Sequence, residues 1–201
     1  MTVGTDGHAV VWPVSRETHR LYTDAARSPL ELTWQNPIRI HQNASKTMVS
    51  HSVDHSATLI VSGGDDGSLA FVYTRHMPAA STTSSMTSYA MPPILVSRAH
   101  ASAVTACTIV VHRSRTLLLT SGNDEWVRLW EFTLDEADYK GTTGSEDALQ
   151  IQRLLKIKTN VADVSSMAVL DAEADSVAAR VLVCGVGMEV IRIAWDEQSI
   201  S

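Results

Sequence analysis

A short segment that recurs at intervals of about sixty residues most limits what this 201-residue chain can fold into. In each copy a hydroxyl residue comes four positions before an aspartate, a glycine comes two before it, and apolar residues follow three and six positions after it. A fixed interval of this kind indicates an array of similar supersecondary units. The three copies are Thr2–Trp12, Ser62–Val72 and Thr120–Trp130, with Asp6, Asp66 and Asp124 as their aspartates.

The rest of the sequence is dominated by apolar runs of four to eight residues, rich in Val, Ile, Leu and Thr and bounded by Gly, Asp, Asn, Ser or His. Such runs favour β-strands separated by turns. Asp66-Gly67 has the chemistry of a hairpin turn, because glycine accepts positive φ. The segment from Val164 to Ala179 is predicted as strand, loop and strand. About a dozen short strands therefore predict an all-β sandwich, barrel or propeller.

Composition excludes several classes of function. The chain has 16 Lys and Arg against 22 Asp and Glu, a net charge of −6, so it lacks the basic surplus that direct binding of nucleic acid needs. No apolar run is long enough to cross a membrane, and the N-terminus does not resemble a signal peptide, which together predict a cytoplasmic protein. The two cysteines, Cys107 and Cys184, are interpreted as buried thiols. No cofactor and no small-molecule substrate are expected.

Two histidines precede the repeated segment at nearly equal distances, His41 before Asp66 and His100 before Asp124. With them, the pattern resembles the WD-repeat β-propeller family, in which each blade is a four-stranded antiparallel sheet. The resemblance implies that a His, a Ser or Thr, an Asp and a Trp of each blade form a buried hydrogen-bonded chain. Such a chain is a structural network, and no catalytic or metal-binding role is expected for it.

The three copies supply this chain to different extents. The third has all four residues, and the second has Val72 where Trp is expected, which predicts a shorter network. The first begins without an upstream His. The predicted network residues are His100, Thr120, Asp124 and Trp130 in the third copy, His41, Ser62 and Asp66 in the second, and Thr2, Asp6 and Trp12 in the first.

The resemblance divides the chain into about three and a half blades that form an incomplete, open arc, as expected of a C-terminal piece of a longer protein. Residues 1–41 are predicted as the second to fourth strands of a partial blade. A blade over 41–98 carries a Ser/Thr-rich loop at 75–93, and a blade over 99–157 carries an acidic loop at 134–149. A degenerate terminal blade over 158–201 lacks the His and the Asp of the repeated pattern and has Gly185-Val186-Gly187 at its turn.

A closer resemblance extends from Gly4 to Trp195, through Val61–Leu69, Ala99–Thr105 and the ending Val161–Met167 followed by Gly185–Val190. These phrases resemble the C-terminal blades of the large WD-repeat proteins that serve as the non-catalytic partner of the tRNA wobble-position 2′-O-ribose methyltransferase. The resemblance implies a scaffold that contacts the methyltransferase and meets tRNA only indirectly, with S-adenosylmethionine bound by the enzyme alone.

Two alternatives stay open. The first is a generic WD-repeat adaptor for protein interactions, for example in degradation or trafficking. The second is a metal-dependent hydrolase that would use His51 and His55, which have the i, i+4 spacing of a helical metal site. That pair is instead predicted to lie in a polar turn between two strands, where the side chains would not share a helical face.

Overall fold

The structure is a computed structural model that describes residues 1–11, 37–54, 57–77, 87–90, 92–112, 115–134, 149–172 and 178–195. Fourteen β-strands make up the regular structure of these residues, and no helix occurs among them. The strands form four antiparallel sheets, here called the first to fourth sheets in chain order. The prediction of an all-β fold is therefore confirmed. None of the described residues belongs to a helix long and apolar enough to cross a membrane.

The first two sheets take up the N-terminal half of the chain. The first contains β1 (Thr2–Val3), β2 (His8–Val10) and β3 (Ile38–Arg39) in that order. The second contains β4 (Ser45–Ser52), β5 (Ala57–Gly64), β6 (Leu69–Met77), β7 (Thr87–Ala90) and β8 (Ile94–Val96). Both β7 and β8 pair with β6, at opposite ends of that strand, so two short strands share the outer position of the sheet.

The other two sheets follow the same antiparallel course. The third contains β9 (Val104–His112), β10 (Arg115–Gly122), β11 (Trp126–Leu134) and β12 (Leu149–Lys158), paired consecutively. The fourth contains β13 (Ala162–Ala172) and β14 (Ala178–Ala194). Of the strand, loop and strand predicted over 164–179, the two strands correspond to β13 and the start of β14, and residues 173–177 between them lie outside the described residues. The third sheet's acidic loop lies outside the described residues from 135 to 148.

Two boundaries differ from the predictions. The Ser/Thr-rich stretch 75–93 is not loop throughout, because β6 continues to Met77 and β7 lies within it. Thr87 and Tyr89 of β7 favour strand geometry, and the pairing with the edge of β6 provides the rest of the stabilisation. Each sheet, together with the segment that leads into it, is called a unit. The turn expected at Gly185–Gly187 does not divide the fourth unit into separate strands. β14 runs continuously through both glycines, and a φ of +104° at Gly187 is the local irregularity.

Apolar side chains fill the space between successive sheets. Along β5 and β6 alternate residues point to opposite faces, as strand geometry requires. Ile60, Ala70 and Val72 pack towards the first sheet, whereas Leu59 and Phe71 pack towards the third. A further cluster joins the third and fourth sheets. Each core is thus shared by two neighbouring sheets, and both faces of the second and third sheets are buried.

Candidate functional site

The repeated segment forms the same hairpin turn in three sheets. The amide of Gly7 donates to the carbonyl of Gly4 at 3.3 Å, and the Gly67–Gly64 and Glu125–Gly122 pairs repeat this bond at 3.2 and 3.1 Å. The donor residue of each pair has a left-handed backbone, with φ of +75°, +73° and +60° at Gly7, Gly67 and Glu125. Three-residue hairpin loops commonly place such a residue last. The spacing of the aspartates therefore reflects one turn geometry used three times.

Each of these turns is hydrogen-bonded to the chain that enters the next sheet. The carbonyl of Gly7 accepts from the amide of His41 at 3.1 Å, and the carbonyl of Gly67 accepts from the amide of His100 at 2.9 Å. The third turn makes the same contact, since the carbonyl of Glu125 accepts from the amide of Thr159 at 3.0 Å. The candidate site is this set of sheet-to-sheet junctions with the polar side chains around them.

The third unit brings all four of its predicted side chains together. Trp130 Nε1 donates to Thr120 Oγ1 at 2.8 Å, and the Thr120 hydroxyl lies 2.8 Å from His100 Nε2. His100 Nδ1 is 2.9 Å from Asp124 Oδ1. A carboxylate can only accept, so Nδ1 carries the proton and Nε2 accepts from threonine. One neutral imidazole tautomer therefore satisfies every bond from the indole to the carboxylate.

Asp124 also orders the surrounding backbone. Its carboxylate accepts from the amides of Ala101 at 3.0 Å and Trp126 at 3.3 Å. Burial by itself would raise the pKa of Asp124, but the hydrogen bonds from His100 and Ala101 lower it below its ordinary value. The ionised carboxylate thereby ties the hairpin turn to the strand connection that carries His100.

Arg128 is a member of this network that the sequence pattern did not predict. It is 8% exposed, its Nη1 donates to Asp124 Oδ2 at 2.8 Å, and the same nitrogen contacts His100 Nδ1. The register of β10 and β11 pairs Arg128 with Thr120, which places the guanidinium beside the histidine. Burial and the charge of Arg128 lower the pKa of His100, with Asp124 opposing them. His100 is therefore neutral at pH 7.

The second unit closes its network through a different residue. His41 Nδ1 donates to Ser68 Oγ at 2.9 Å, and the Ser68 hydroxyl donates to Asp66 Oδ1 at 2.6 Å. The histidine and the carboxylate themselves are 3.4 Å apart. His41 Nε2 lies 3.1 Å from Ser62 Oγ, as in the third unit. Burial lowers the pKa of His41, so this imidazole is also neutral at pH 7. Ser68 was missed because the pattern assigned no role to the second residue after the aspartate.

The strand register shows which residue replaces the tryptophan that the second unit lacks. Val72 pairs with Ile60, just as Trp130 pairs with Leu118, so Val72 takes the place of the indole. A second hydroxyl compensates in part, because Ser45 Oγ lies 2.5 Å from Ser62 Oγ. The second network thus ends in a serine pair.

The first unit does not assemble the buried chain expected of Thr2, Asp6 and Trp12. Thr2 is exposed on β1, and the side chain of Asp6 is 71% exposed. Asp6 Oδ1 accepts from the amide of His8 at 3.1 Å, which is a local turn contact. With no histidine before the turn, nothing draws the carboxylate inward. Trp12 lies outside the described residues.

The fourth unit contains a junction that the sequence pattern missed. Thr159 is fully buried at the position that the histidines occupy in the other units, and its hydroxyl donates to Glu189 Oε2 at 2.7 Å. The amide of Asn160 donates to the same oxygen at 2.9 Å, as those of Gln42 and Ala101 do to Asp66 and Asp124. These hydrogen bonds lower the pKa of Glu189. The unit lacks the His and the Asp of the repeated pattern, yet Thr159 and Glu189 make the equivalent contacts.

Of the histidine pair considered for a metal site, the structure describes only His51. His51 lies on β4, not in a turn, and its ring packs edge-on against Phe132 of the third sheet with centroids 6.3 Å apart. Its partner in the motif, His55, lies outside the described residues. Among the residues that are described, no group of three His, Cys, Asp or Glu side chains is placed to hold a metal ion.

Chemically, the four-residue network of the third unit is suited to holding the backbone in place. His100 is 3% exposed, and the hydrogen bonds at both its ring nitrogens are used within the protein. Thr120 is fully buried and bonded to both the indole and the imidazole. No known family model matches the chain, and no curated protein matches it. The assignment of function therefore depends on the sequence resemblance and on this geometry.

Proposed function

We propose that this protein is a non-catalytic scaffold built of WD-repeat blades. The observation that carries the proposal is the recurrence of one junction: a turn carbonyl accepts from the amide that begins the next sheet, and a carboxylate accepts from the amide after it. Such a design rigidly fixes neighbouring sheets relative to one another. Rigid stacked sheets present their connecting loops as binding surfaces, which is how repeat proteins commonly recognise partners.

The partner that the sequence resemblance supports is the methyltransferase that modifies the ribose at the wobble position of tRNA. In this proposal the chain contacts the enzyme, tRNA is met only indirectly, and S-adenosylmethionine stays on the enzyme. The net charge of −6 supports an indirect role, because neutralising phosphates requires a basic surface. The contribution to the reaction is then one of proximity and orientation.

Affinity purification of the tagged protein from its own cells tests this proposal. We expect a tRNA ribose methyltransferase to be recovered with it, and deletion of these residues in the cell to abolish wobble-ribose methylation while S-adenosylmethionine binding by the enzyme persists. Normal methylation after the deletion would contradict the proposal. Recovery of degradation or trafficking factors without a methyltransferase would instead favour the general adaptor.

A further inference from the structure

A pocket of about 500 Å³ opens where the first sheet meets the second. Its wall includes the end of the first sheet at Arg39, the turn of the second unit at Asp66 and Ser68, and the segment after β8 at Arg98. Two arginines therefore face one cavity in a protein whose net charge is −6. Because the same junction positions His41 and Asp66, the shape of the pocket is held by the hydrogen-bond network described above.

Among the described residues of the wall, Asp66 is the one carboxylate, and its hydrogen bonds are made within the protein. Asp66 accepts from the amide of Gln42 at 2.8 Å, from the amide of Ser68 at 3.0 Å and from the Ser68 hydroxyl at 2.6 Å. Burial alone would raise the pKa of Asp66, but these bonds lower it, so the group stays ionised while its oxygens point at their donors. Within the described residues neither Arg39 nor Arg98 forms an ion pair with Asp66, so the charges of both arginines can act on a ligand.

The two arginines are held differently. Arg39 Nε and Nη2 lie 3.4 and 3.3 Å from the carbonyls of His41 and Gln42, which orients the guanidinium along the wall. Arg98 is exposed, has a φ of +55°, and has no hydrogen-bond or ion-pair partner among the residues that the structure describes. A left-handed backbone is costly for a residue such as arginine. Strained conformations of this kind cluster at ligand-binding positions, and Arg98 holds its charge at the rim of the cavity.

We propose that this pocket binds a side chain that ends in an oxyanion, a carboxylate or a phosphate, on a segment of a partner protein. Arginine pairs with both groups through charge-assisted hydrogen bonds. Leu95, 52% exposed at the rim, offers an apolar contact for a neighbouring side chain of the segment. Two arginines in an otherwise acidic chain suit a single anionic group better than a continuous row of phosphates. The inference rests on the proposed scaffold function, for which it supplies a docking point.

A peptide array probed with the full chain tests the pocket. The peptides share a leucine-flanked central residue that is glutamate, phosphoserine, glutamine or lysine, and a single-stranded RNA oligonucleotide serves as a competitor. We expect retention on glutamate or phosphoserine peptides at least about tenfold above glutamine. The glutamate and phosphoserine arms distinguish the carboxylate from the phosphate.

Arg98→Asn is the decisive variant, because asparagine tolerates a left-handed backbone and removes the guanidinium group with its charge. It should lower retention about tenfold. Arg192→Gln, an exposed arginine on β14, removes the same charge outside the pocket and should leave retention unchanged. The proposal would be overturned if Arg98→Asn were retained as strongly as the unsubstituted chain, or if the chain showed no preference for acidic peptides. RNA binding that depends on Arg98 would also overturn it. Because this assay contains no methyltransferase, its failure would leave the scaffold function to its own test.

Discussion

The amide of His100 donates to the carbonyl of Gly67, so the hairpin turn of the second sheet holds the residue from which the third sheet's network starts. The contact leaves no space for a side chain on the glycine, since a Cβ at Gly67 would lie 2.5 Å from the His100 carbonyl oxygen. Turn geometry in one sheet and network geometry in the next are therefore a single structural requirement.

The buried network of the third sheet should contribute more to stability than that of the second. Asp124→Ala leaves Arg128, 8% exposed, without its carboxylate, so we expect a loss of about 2 to 5 kcal/mol in the free energy of unfolding. Trp130→Ala should cost about as much, because it opens a cavity between two sheets. Asp66→Ala should cost less, since no buried arginine is stranded. Chemical denaturation of the three variants measures this order, and equal losses for Asp124→Ala and Asp66→Ala would refute it.

A glycine at the turn of the third sheet should increase the stability of the protein. Glu125 has a φ of +60° where the other two turns have glycine. Glycine reaches this conformation without steric cost, so Glu125→Gly should raise the unfolding free energy by about 0.5 to 1 kcal/mol. Gly67→Ala is the matched opposite, because both its φ and the nearby carbonyl oppose a side chain, and it should lower the melting temperature. Thermal melts that move both variants in the same direction would contradict the shared turn geometry.

Stability should decrease as the pH falls below 7. Burial lowers the pKa values of His41 and His100 in the folded state, so below the ordinary value of about 6.5 the unfolded chain binds protons that the folded one excludes. Folding is then opposed by up to about 1.4 kcal/mol per pH unit for each histidine, until its folded-state pKa is reached. Urea denaturation between pH 7.5 and 5 measures this slope. His100→Gln should reduce it, and a slope that is unchanged by this substitution would assign the effect elsewhere.

The isolated chain should bind tRNA negligibly. Its 16 basic residues are outnumbered by 22 acidic ones, so it has no surplus of positive charge to neutralise phosphates and release their counterions. Gel-shift or filter-binding titration at low salt, with a basic RNA-binding domain as the positive control, measures this. Tight binding that weakens steeply with added salt would require a direct role in holding the nucleic acid.

The spacing of residues along the sequence predicted those network positions that the path of the backbone brings together. His41 and Asp66, and likewise His100 and Asp124, come together because the hairpin turn and the strand entry lie at fixed distances along the chain. Arg128 could not be found in this way, since a charged residue in a strand is expected to face solvent unless the register is known. Thr159 and Glu189 were not predicted, because the repeated pattern requires His and Asp at these positions. The fourth unit pairs a shorter hydroxyl side chain with a longer carboxylate side chain, and the two residues are 30 positions apart.

The strand predictions succeeded where the apolar run was continuous and failed where the inward positions were partly polar. β5 and β10 carry nearly continuous buried runs, which match the apolar runs of four to eight residues that predicted strands. β4, with the sequence SKTMVSHS, alternates regularly between half-buried and exposed residues, but its half-buried positions are partly polar. β7 pairs along an edge that only the folded β6 provides. Such elements depend on a neighbouring strand more than on their own residues.

Because every hydrophobic core lies between two consecutive sheets, the molecule should behave as a one-dimensional chain of coupled units. The second and third sheets each have two neighbours, whereas the first and fourth, within the described residues, have one. Opening should then begin at the outer sheets and move inward, so that amide protons of Thr2–Val3 exchange early with solvent and those of Leu117–Leu119 exchange last. The order of hydrogen exchange along the sequence would thus follow the order of the sheets.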